Sequence, residues 1–385
     1  MDAGSRSLRK AIERDAGKKF VFLSGPRQVG KTTLARAIID AKKGTYLLYD
    51  DDEDRRAILG KRYVSEKWVC LDEFHKFPRW KAHVKGVFDK HHESLHLILT
   101  GSARLDVFQK SGDSLFGRYY LHHLHPLTLG ELASAELPGL PEHPDAPHEP
   151  LPHLKELFRF GGFPEPFYGQ SDTEHRRWSN TRRQLLVRED LRDISHVTLL
   201  ALVEHLMLLL PDRIGSLFSF NSLAEDIRVS PLTIKNWMDI FQRLFILFPI
   251  YPYSKHIARS LQKQPKFFFN DWSQVPDDGD RFENMVASHL WKAVQTWTDL
   301  GLANLGLHHI RDRDGRECDF LVTRDSTPWF LVEAKLTETR PAPALEYFSR
   351  RLDVPGIQLI STDGFCRRHG NILVVSAVRW LGHLP

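Results

Sequence analysis

The chain has 385 residues, of which 42% are hydrophobic and 26% are charged, and its formal net charge is +4. This composition is typical of a globular protein with two or three domains, and no apolar run approaches the roughly 20 residues needed to cross a bilayer. The 3 cysteines are widely separated, which argues against a disulfide framework and favours a reducing compartment. We therefore expect a cytoplasmic protein without a membrane partner, whose weak positive charge permits nucleic-acid binding without requiring it.

A glycine-rich segment near the start of the chain matches the phosphate-binding pattern GxxxxGK[ST]. It lies between a predicted buried strand at 19–24 and a predicted apolar-faced helix at 33–39. In this pattern backbone amides surround a phosphate, Lys31 reaches the β- and γ-phosphates, and the Thr32 hydroxyl holds Mg²⁺. The predicted nucleotide-binding residues are Gly25, Pro26, Arg27, Gln28, Val29, Gly30, Lys31, Thr32 and Thr33. The segment predicts a nucleoside triphosphate site, and an ordinary glycine turn is the alternative.

Two acidic residues, Asp72 and Glu73, end a second predicted apolar strand that begins at Trp68. In P-loop enzymes the first acid positions Mg²⁺ through its water shell, and the second accepts a proton from the attacking water. The distance from Lys31 leaves room for one helix and for a strand at 45–49, as a doubly wound sheet requires. The pair therefore predicts ATP hydrolysis, although acids at a strand end also occur in plain loops.

A further predicted strand at 96–100 ends in a Thr-Gly-Ser sequence. A hydroxyl at this strand end can lie between the two carboxylates and sense the γ-phosphate. Ser102 and Thr100 are both candidates, with Ser102 slightly preferred, and a simple turn is the alternative for either residue.

The sequence divides into five predicted segments of an α/β protein. The first is a P-loop NTPase sheet at 1–135, and its last strand is predicted at 118–124. It is followed by a proline-rich linker at 136–152, a helical lid at 153–212, a winged-helix domain at 213–275 and a C-terminal α/β domain at 276–385. In the winged helix, two helices at 222–227 and 231–241 precede strands at 246–251 and 266–270. Its candidate phosphate contacts are Arg228, Lys235, Asn236 and Arg243. The alternative is a lid that packs on the ATPase core and touches no nucleic acid.

The C-terminal segment combines acids and a lysine on neighbouring predicted elements. Asp319 begins one strand, Glu333 and Lys335 lie two residues apart on the next, and Glu283 lies on the preceding helix. The three acids are predicted Mg²⁺ or Mn²⁺ ligands, and Lys335 is predicted to orient or deprotonate the attacking water. This is the constellation of the PD-(D/E)XK nucleases, within a restriction-endonuclease-like fold. An ordinary hairpin with a cross-strand Glu–Lys pair is the alternative, and DNA cleavage is left open.

Taken together, these motifs resemble a prokaryotic family of AAA-like P-loop ATPases, related to the STAND ATPases, with a nuclease-like C-terminal domain of unknown function. The segments that carry the resemblance are 25–34, 71–76, 99–102, 115–118, 161–165, 188–191, 315–320 and 332–335. The resemblance implies that Pro164 lies near the adenine and reports the nucleotide state. It also implies that an arginine, Arg118 or Arg188, reaches the γ-phosphate in cis or from a neighbouring subunit of a homo-oligomer. The alternative for the segment around Pro164 is a helix-breaking turn, and the alternative for either arginine is a surface salt bridge.

Two functions are consistent with the sequence. The favoured one is Mg²⁺-dependent ATP binding and hydrolysis coupled to DNA binding, with a metal-dependent nuclease site or a DNA-binding site in the C-terminal domain. The other is a regulatory ATPase switch whose nuclease-like domain is an inactive protein-interaction module. The two differ in whether nucleic acid is the partner.

Overall fold

The computed structural model describes residues 6–101, 115–145, 147, 149–186, 200–254 and 264–385. The chain divides into two compact units, the first extending to His125 and including two short returns at 135–137 and 243–245. The stretch Pro126–Ser134, predicted to close the ATPase core, belongs to the second unit. The remaining boundaries of the five-segment division stay predictions. Within the described ranges, every helix is too short or too polar to span a bilayer.

The first unit contains a five-stranded parallel sheet in the order β2-β3-β4-β1-β5. Its described elements are α1 (Arg9–Ala16), β1 (Phe20–Ser24), α2 (Lys31–Ala41), β2 (Thr45–Leu48), α3 (Asp52–Leu59), β3 (Trp68–Asp72), α4 (Trp80–His91), β4 (His96–Thr100) and β5 (Tyr119–His123). All five predicted strands are present to within about two residues, because each is a short apolar run bounded by polar or turn residues. The carboxyl ends of β1, β4 and β3 are adjacent, which brings the sequence-distant motifs to one edge of the sheet.

The second unit is built on an eight-stranded mixed sheet in the order β12-β13-β11-β10-β9-β8-β6-β7. Its described helices are α5 (Leu129–Ala133), α6 (Leu154–Phe160), α7 (Pro164–Gly169), α8 (Asp172–Leu185), α9 (Leu200–Leu209), α10 (Phe220–Ile227), α11 (Pro231–Arg243), α12 (Asp278–Asp299) and α13 (Pro343–Leu352). Its described strands are β6 (Leu247–Pro252), β7 (Lys266–Phe269), β8 (Leu305–Arg311), β9 (Glu317–Arg324), β10 (Thr327–Lys335), β11 (Gly356–Ile360), β12 (Cys366–His369) and β13 (Ile372–Ser376).

The predicted helix–turn–helix is present as α10 and α11. The Ser219 hydroxyl caps α10 by accepting from the Ser222 amide, and Pro231 occupies the first turn of α11, where its missing N–H costs nothing. The two strands predicted as a wing, β6 and β7, form an antiparallel hairpin. However, β6 also pairs with β8, so this hairpin is the edge of the C-terminal sheet and the winged-helix assignment is not confirmed.

Candidate active sites

The phosphate-binding segment forms the turn between β1 and α2. Gly25 and Gly30 have φ angles of 148° and 100°, a region that favours glycine. A Cβ atom at Gly25 would lie only 2.3 Å from the carbonyl oxygen of Leu124, so a side chain cannot be accommodated there. Lys31 is buried at the start of α2, and its ammonium group donates to the carbonyl oxygens of Gly25 at 2.8 Å and Pro26 at 2.7 Å. Gly25 and Gly30 therefore lie in the turn between β1 and α2 and Lys31 at the start of α2, and the assignment of Gly25 to Thr33 as nucleotide-binding residues stays a prediction.

Asp72, at the carboxyl end of β3, receives hydrogen bonds from three hydroxyl groups. The Thr32 hydroxyl donates to Oδ2 at 2.8 Å, and the hydroxyls of Tyr46 and Thr100 also donate to this carboxylate. The backbone amide of Glu73 adds a fourth hydrogen bond, at 3.0 Å. Asp72 is only 2% exposed, so these donors hold its carboxylate in a fixed position. The structure thus brings Thr32 and Asp72, the two predicted Mg²⁺ residues of the ATP site, into direct contact.

Glu73 follows Asp72 in a left-handed backbone conformation with a φ angle of 52°. Burial raises the pKa of its carboxyl; Lys31 opposes this rise, and Asp72 adds to it. The imidazole Nδ1 of His75 lies 3.5 Å from a Glu73 carboxylate oxygen. A carboxyl with a raised pKa is a better proton acceptor than an ordinary surface acid, as a general base requires.

The remaining predictions for the nucleotide site have different outcomes. Ser102 and Arg188 lie outside the described residues. Arg118 forms an ion pair with Asp89 at 2.7 Å, which is the surface salt bridge left open as its alternative. Pro164 begins α7 in the second unit, and its proximity to adenine stays a prediction.

Two contributors to the nucleotide site were missed by sequence analysis. Tyr46 lies on β2, where it donates to Asp72 while the Arg36 guanidinium lies 4.2 Å from its ring. Arg6 is buried, and one of its guanidinium nitrogens donates to the carbonyl oxygen of Val29 in the phosphate-binding turn at 2.8 Å. Tyrosine in a strand is indistinguishable from an ordinary core residue, and Arg6 lies 19 residues before Gly25, the first residue of the motif, so no local signal was available.

The second candidate site lies on β9, β10 and α12, where it includes the predicted nuclease-like residues. A Glu333 carboxylate oxygen accepts from the backbone amide of Asp319 at 3.2 Å, and an Asp319 oxygen accepts from the amide of Ala334 at 2.9 Å. The Lys335 ammonium lies 2.8 Å from the Glu333 carboxylate. The antiparallel pairing of β9 with β10 therefore brings Asp319, Glu333 and Lys335 together.

Lys266, on β7, is a member of this second site that the sequence analysis missed. Its buried ammonium lies 3.4 Å from a Glu283 oxygen and 2.6 Å from a Glu317 oxygen. It links Glu283 on α12 to the acidic end of β9. The site, which we call the carboxylate–lysine cluster, contains Lys266, Glu283, Glu317, Asp319, Glu333 and Lys335.

Two of the four acids of this cluster, Glu283 and Glu333, resist ionisation. Burial, followed by the charge of Asp319, raises the pKa of Glu283 to about 8 and that of Glu333 to about 7, although Lys266 and Lys335 oppose these shifts. Burial would lower the pKa of Lys266, but Glu283, Asp319 and Glu317 raise it above the usual lysine value. Glu317 differs, because burial would raise the pKa of its carboxyl but the charges of Lys266 and Arg311 lower it below its usual value.

The chemistry of these acids fits a hard divalent cation, which prefers carboxylate oxygens. Among the residues that the structure describes, however, no group of three or more His, Cys, Asp and Glu side chains is arranged to hold a metal ion. In this arrangement the ammonium groups of Lys266 and Lys335 contact the carboxylates instead. The assignment of Glu283, Asp319 and Glu333 as metal ligands stays a prediction.

Three parts of the chain match family models. Residues 17–133 match an AAA domain, residues 151–275 match a domain of unknown function (DUF8612), and residues 278–378 match a domain of unknown function (DUF4143). The first match agrees with the phosphate-binding turn and the Asp72 contacts in the first unit. The chain therefore contains an AAA-like P-loop ATPase domain, while the other two matches carry no description of function.

Similar proteins occur in bacteria and archaea. The uncharacterized proteins Mb2031c of Mycobacterium bovis and Rv2008c of Mycobacterium tuberculosis are each 25% identical over 351 residues, which cover 88% of this chain and 74% of theirs. The uncharacterized protein MJ1637 of Methanocaldococcus jannaschii is 25% identical over 339 residues, or 73% of this chain and 69% of its own. The printed names of these relatives give no activity.

Solved structures with detectable similarity include two that match this chain weakly. The Thermotoga maritima RuvB Holliday junction branch migration motor is 18% identical with a TM-score of 0.29, covering 63% of this chain and 85% of its own. Bacteroides Pif1 bound to ssDNA is 11% identical with a TM-score of 0.21, covering 31% of this chain and 41% of its own. Similarity at this level carries no information about function.

Proposed function

We propose that this protein binds and hydrolyses Mg·ATP in its first unit and couples hydrolysis to DNA binding, with metal-dependent DNA cleavage at the carboxylate–lysine cluster. The observation that carries the proposal is the set of hydroxyl hydrogen bonds to Asp72, one of them from Thr32 beside the buried Lys31. Such an arrangement supports the binding of a metal-chelated triphosphate.

In the ATPase step, the backbone amides of the turn and the Lys31 ammonium bind the β- and γ-phosphates. Lys31 exchanges its hydrogen bonds with the carbonyl oxygens of Gly25 and Pro26 for phosphate oxygens. Thr32 and Asp72 hold Mg²⁺, which when bound neutralises charge on the phosphates. Glu73 accepts the proton of the attacking water, in keeping with its raised pKa.

Thr100 and Ser102 remain candidates to sense the γ-phosphate, and the hydrogen bond from Thr100 to Asp72 supports the first of them. Loss of the γ-phosphate alters the charge that Asp72 experiences, and the Thr100 hydroxyl lies at the end of β4, where it can respond. Pro164 remains the candidate contact on the adenine side.

In the cleavage step, Glu283, Asp319 and Glu333 hold Mg²⁺ or Mn²⁺, which when bound supplies positive charge to the scissile phosphate. The raised pKa values of Glu283 and Glu333 support this role, because a divalent cation would relieve the repulsion between the acids. Lys335 orients the attacking water, a role that its 2.8 Å distance from Glu333 supports. Exposed Arg228, Lys235 and Asn236, on or beside α11, contact DNA phosphates.

A regulatory ATPase switch with an inactive interaction domain is the second candidate function. Lys266 favours it, because its buried ammonium lies between Glu283 and Glu317 and compensates their charge without a metal ion. The two proposals share the ATP chemistry and differ in the role of the carboxylate–lysine cluster.

One experiment separates the two proposals. The purified protein is mixed with single-stranded, duplex and branched DNA, with and without ATP, and with Mg²⁺ or Mn²⁺, and binding and nicking are followed on the same gel. We expect DNA-stimulated ATP hydrolysis that weakens steeply with salt, and nicking that Glu333→Gln and Lys335→Ala abolish. Asp314→Asn, at an exposed acid outside the cluster, is the matched control. Indifference of ATP hydrolysis to DNA, together with no nicking, would support the regulatory switch instead.

A further inference from the structure

A cavity in the second unit lies outside both candidate sites. It encloses about 360 Å³ between α8, the end of α9, and the segment that begins at β7. This volume falls within the range of roughly 300 to 1,000 Å³ that is typical of small-molecule sites. Its wall is divided into a cationic side and an apolar side.

The cationic side is formed by two arginines of α8, Arg176 and Arg183. They are seven residues apart and therefore share one face of the helix, separated by about 10 Å along its axis. A guanidinium nitrogen of Arg183 donates to the side-chain oxygen of Asn180 at 3.0 Å. The neighbouring Arg177 differs, since it is ion-paired with Glu174 at 3.3 Å.

No acidic side chain lines this cavity within the part of the chain that the structure describes. The acid behind its wall, Asp271, is 1% exposed and already engaged. Asp271 accepts from the Ser273 hydroxyl at 2.6 Å and from the Gln274 amide at 2.9 Å, and Arg182 lies 3.7 Å away. Among the described residues that line the cavity, the charged ones are therefore Arg176 and Arg183, apart from the titratable His175.

The apolar side is formed by Met207 and Leu208 of α9 together with Phe269 of β7. Leu208 is 58% exposed, although it belongs to a helix whose other face is buried, so its side chain is accessible to a ligand in the cavity. A flat ring could lie on this surface while its charged substituent reaches α8.

We propose that this cavity binds a phosphorylated ligand of mononucleotide size, at a site separate from the phosphate-binding turn. The phosphate lies on Arg176 and Arg183, because the guanidinium group presents paired donors that match phosphate oxygens. The ring lies on the apolar surface of Met207, Leu208 and Phe269. The site goes beyond the proposed ATPase and DNA activities.

The test uses the full chain carrying Lys31→Ala, which weakens nucleotide binding at the phosphate-binding turn. Titration calorimetry with AMP, GMP and inorganic phosphate measures the remaining site. We expect at least one of the two nucleotides to bind, and more tightly than inorganic phosphate, because the latter lacks a ring. Adding Arg176→Ala or Arg183→Ala should weaken that binding by about tenfold each, as loss of a charge-assisted hydrogen bond implies.

Arg177→Ala, on the same helix but already ion-paired, is the matched control and should leave the affinity unchanged. The proposal fails if neither nucleotide binds the Lys31→Ala protein, or if their affinity is indifferent to both cavity arginines. Equal affinity for inorganic phosphate and for the nucleotides would show that the apolar side of the cavity does not bind the ring, which would contradict that part of the proposal. Circular dichroism of each variant verifies that the protein is folded.

Discussion

The two candidate sites balance their charges in different ways. At the nucleotide site, one buried carboxylate, that of Asp72, is surrounded by hydroxyl donors, and Lys31 donates to neutral backbone carbonyl oxygens. In the carboxylate–lysine cluster, Lys266 and Lys335 contact carboxylates directly, and Glu283 and Glu333 have raised pKa values. The first site therefore has donors that can bind a phosphate, whereas the second has two carboxyl groups, Glu283 and Glu333, whose ionisation is disfavoured by burial.

This difference shows what each site requires of its ligand. An ammonium group exchanges carbonyl oxygens for phosphate oxygens with little loss, since both are acceptors and the new one is charged. Carboxylates that are crowded in a buried place are instead stabilised by protons or by an added cation. Three changes test this comparison, in decreasing order of expected effect.

The largest effect is expected for Glu73→Gln. The amide keeps the size of the side chain but cannot accept a proton, so ATP turnover should fall by about 100-fold to 10,000-fold. ATP affinity should change little, because Glu73 contributes a proton-accepting group rather than a phosphate contact. Steady-state hydrolysis and equilibrium binding, measured on the same preparation, separate the two quantities.

Glu66→Gln is a suitable control for this change, since Glu66 is an exposed acid in the same unit. Its turnover should equal that of the unaltered protein. If Glu73→Gln retained full turnover, Glu73 would not be the base, and another group would have to accept the proton.

An intermediate effect is expected from the pH dependence of stability at the carboxylate–lysine cluster. The folded-state pKa of Glu283, about 8, lies above the value of about 4.3 in an unfolded chain. A group with a raised pKa contributes stability that is fully present below the unfolded pKa and is lost as the pH rises through the folded pKa. The melting temperature should therefore fall by several degrees between pH 5 and pH 9.

Glu283→Gln should flatten this pH profile, because the amide cannot ionise. Mg²⁺ or Mn²⁺ should do the same in the unaltered protein if the acids bind the ion. Thermal melts across the pH range, with and without the ion, measure both effects. Superimposable profiles for the unaltered protein and Glu283→Gln would show that the acid is not strained by burial.

The smallest effect is expected for Tyr46→Phe, which removes one of the hydroxyl donors to Asp72. Loss of a hydrogen bond to a charged group costs roughly 1.5 to 3 kcal/mol, and the remaining donors limit the loss to the lower end of this range. ATP turnover should fall by about tenfold. Tyr49→Phe, in the same segment, is the control, and equal turnover of the two variants would exclude a role for the Tyr46 hydroxyl.

The sequence predicts the nucleotide site better than the cluster because its signals are local. The turn needs glycine where φ is positive, as at Gly25 and Gly30, and this requirement appears directly in the pattern. Asp72 and Thr100 stand at the ends of apolar strands, and parallel pairing brings such ends together. Tyr46 could not be predicted, since its hydroxyl contact depends on the register of β2 with β3.

Only part of the cluster was predicted, because its members come from elements that are distant from one another in the sequence. Asp319, Glu333 and Lys335 follow from strand alternation, but Lys266 joins them only because the β6–β7 hairpin extends the C-terminal sheet. That long-range pairing leaves no periodic signal in the sequence. The strand Cys366–His369 was missed for a related reason, since its largely exposed Cys-Arg-Arg-His sequence lacks the apolar alternation by which strands are recognised.

The most direct test of the central claim is ATP turnover by the Lys31→Ala protein. The account places the Lys31 ammonium on the β- and γ-phosphates, so turnover should fall by about 100-fold or more, as for loss of a charge-stabilising donor. Lys42→Ala, at the opposite end of the same helix, should retain full turnover. Undiminished turnover by Lys31→Ala would contradict the assignment of this turn as the nucleotide site.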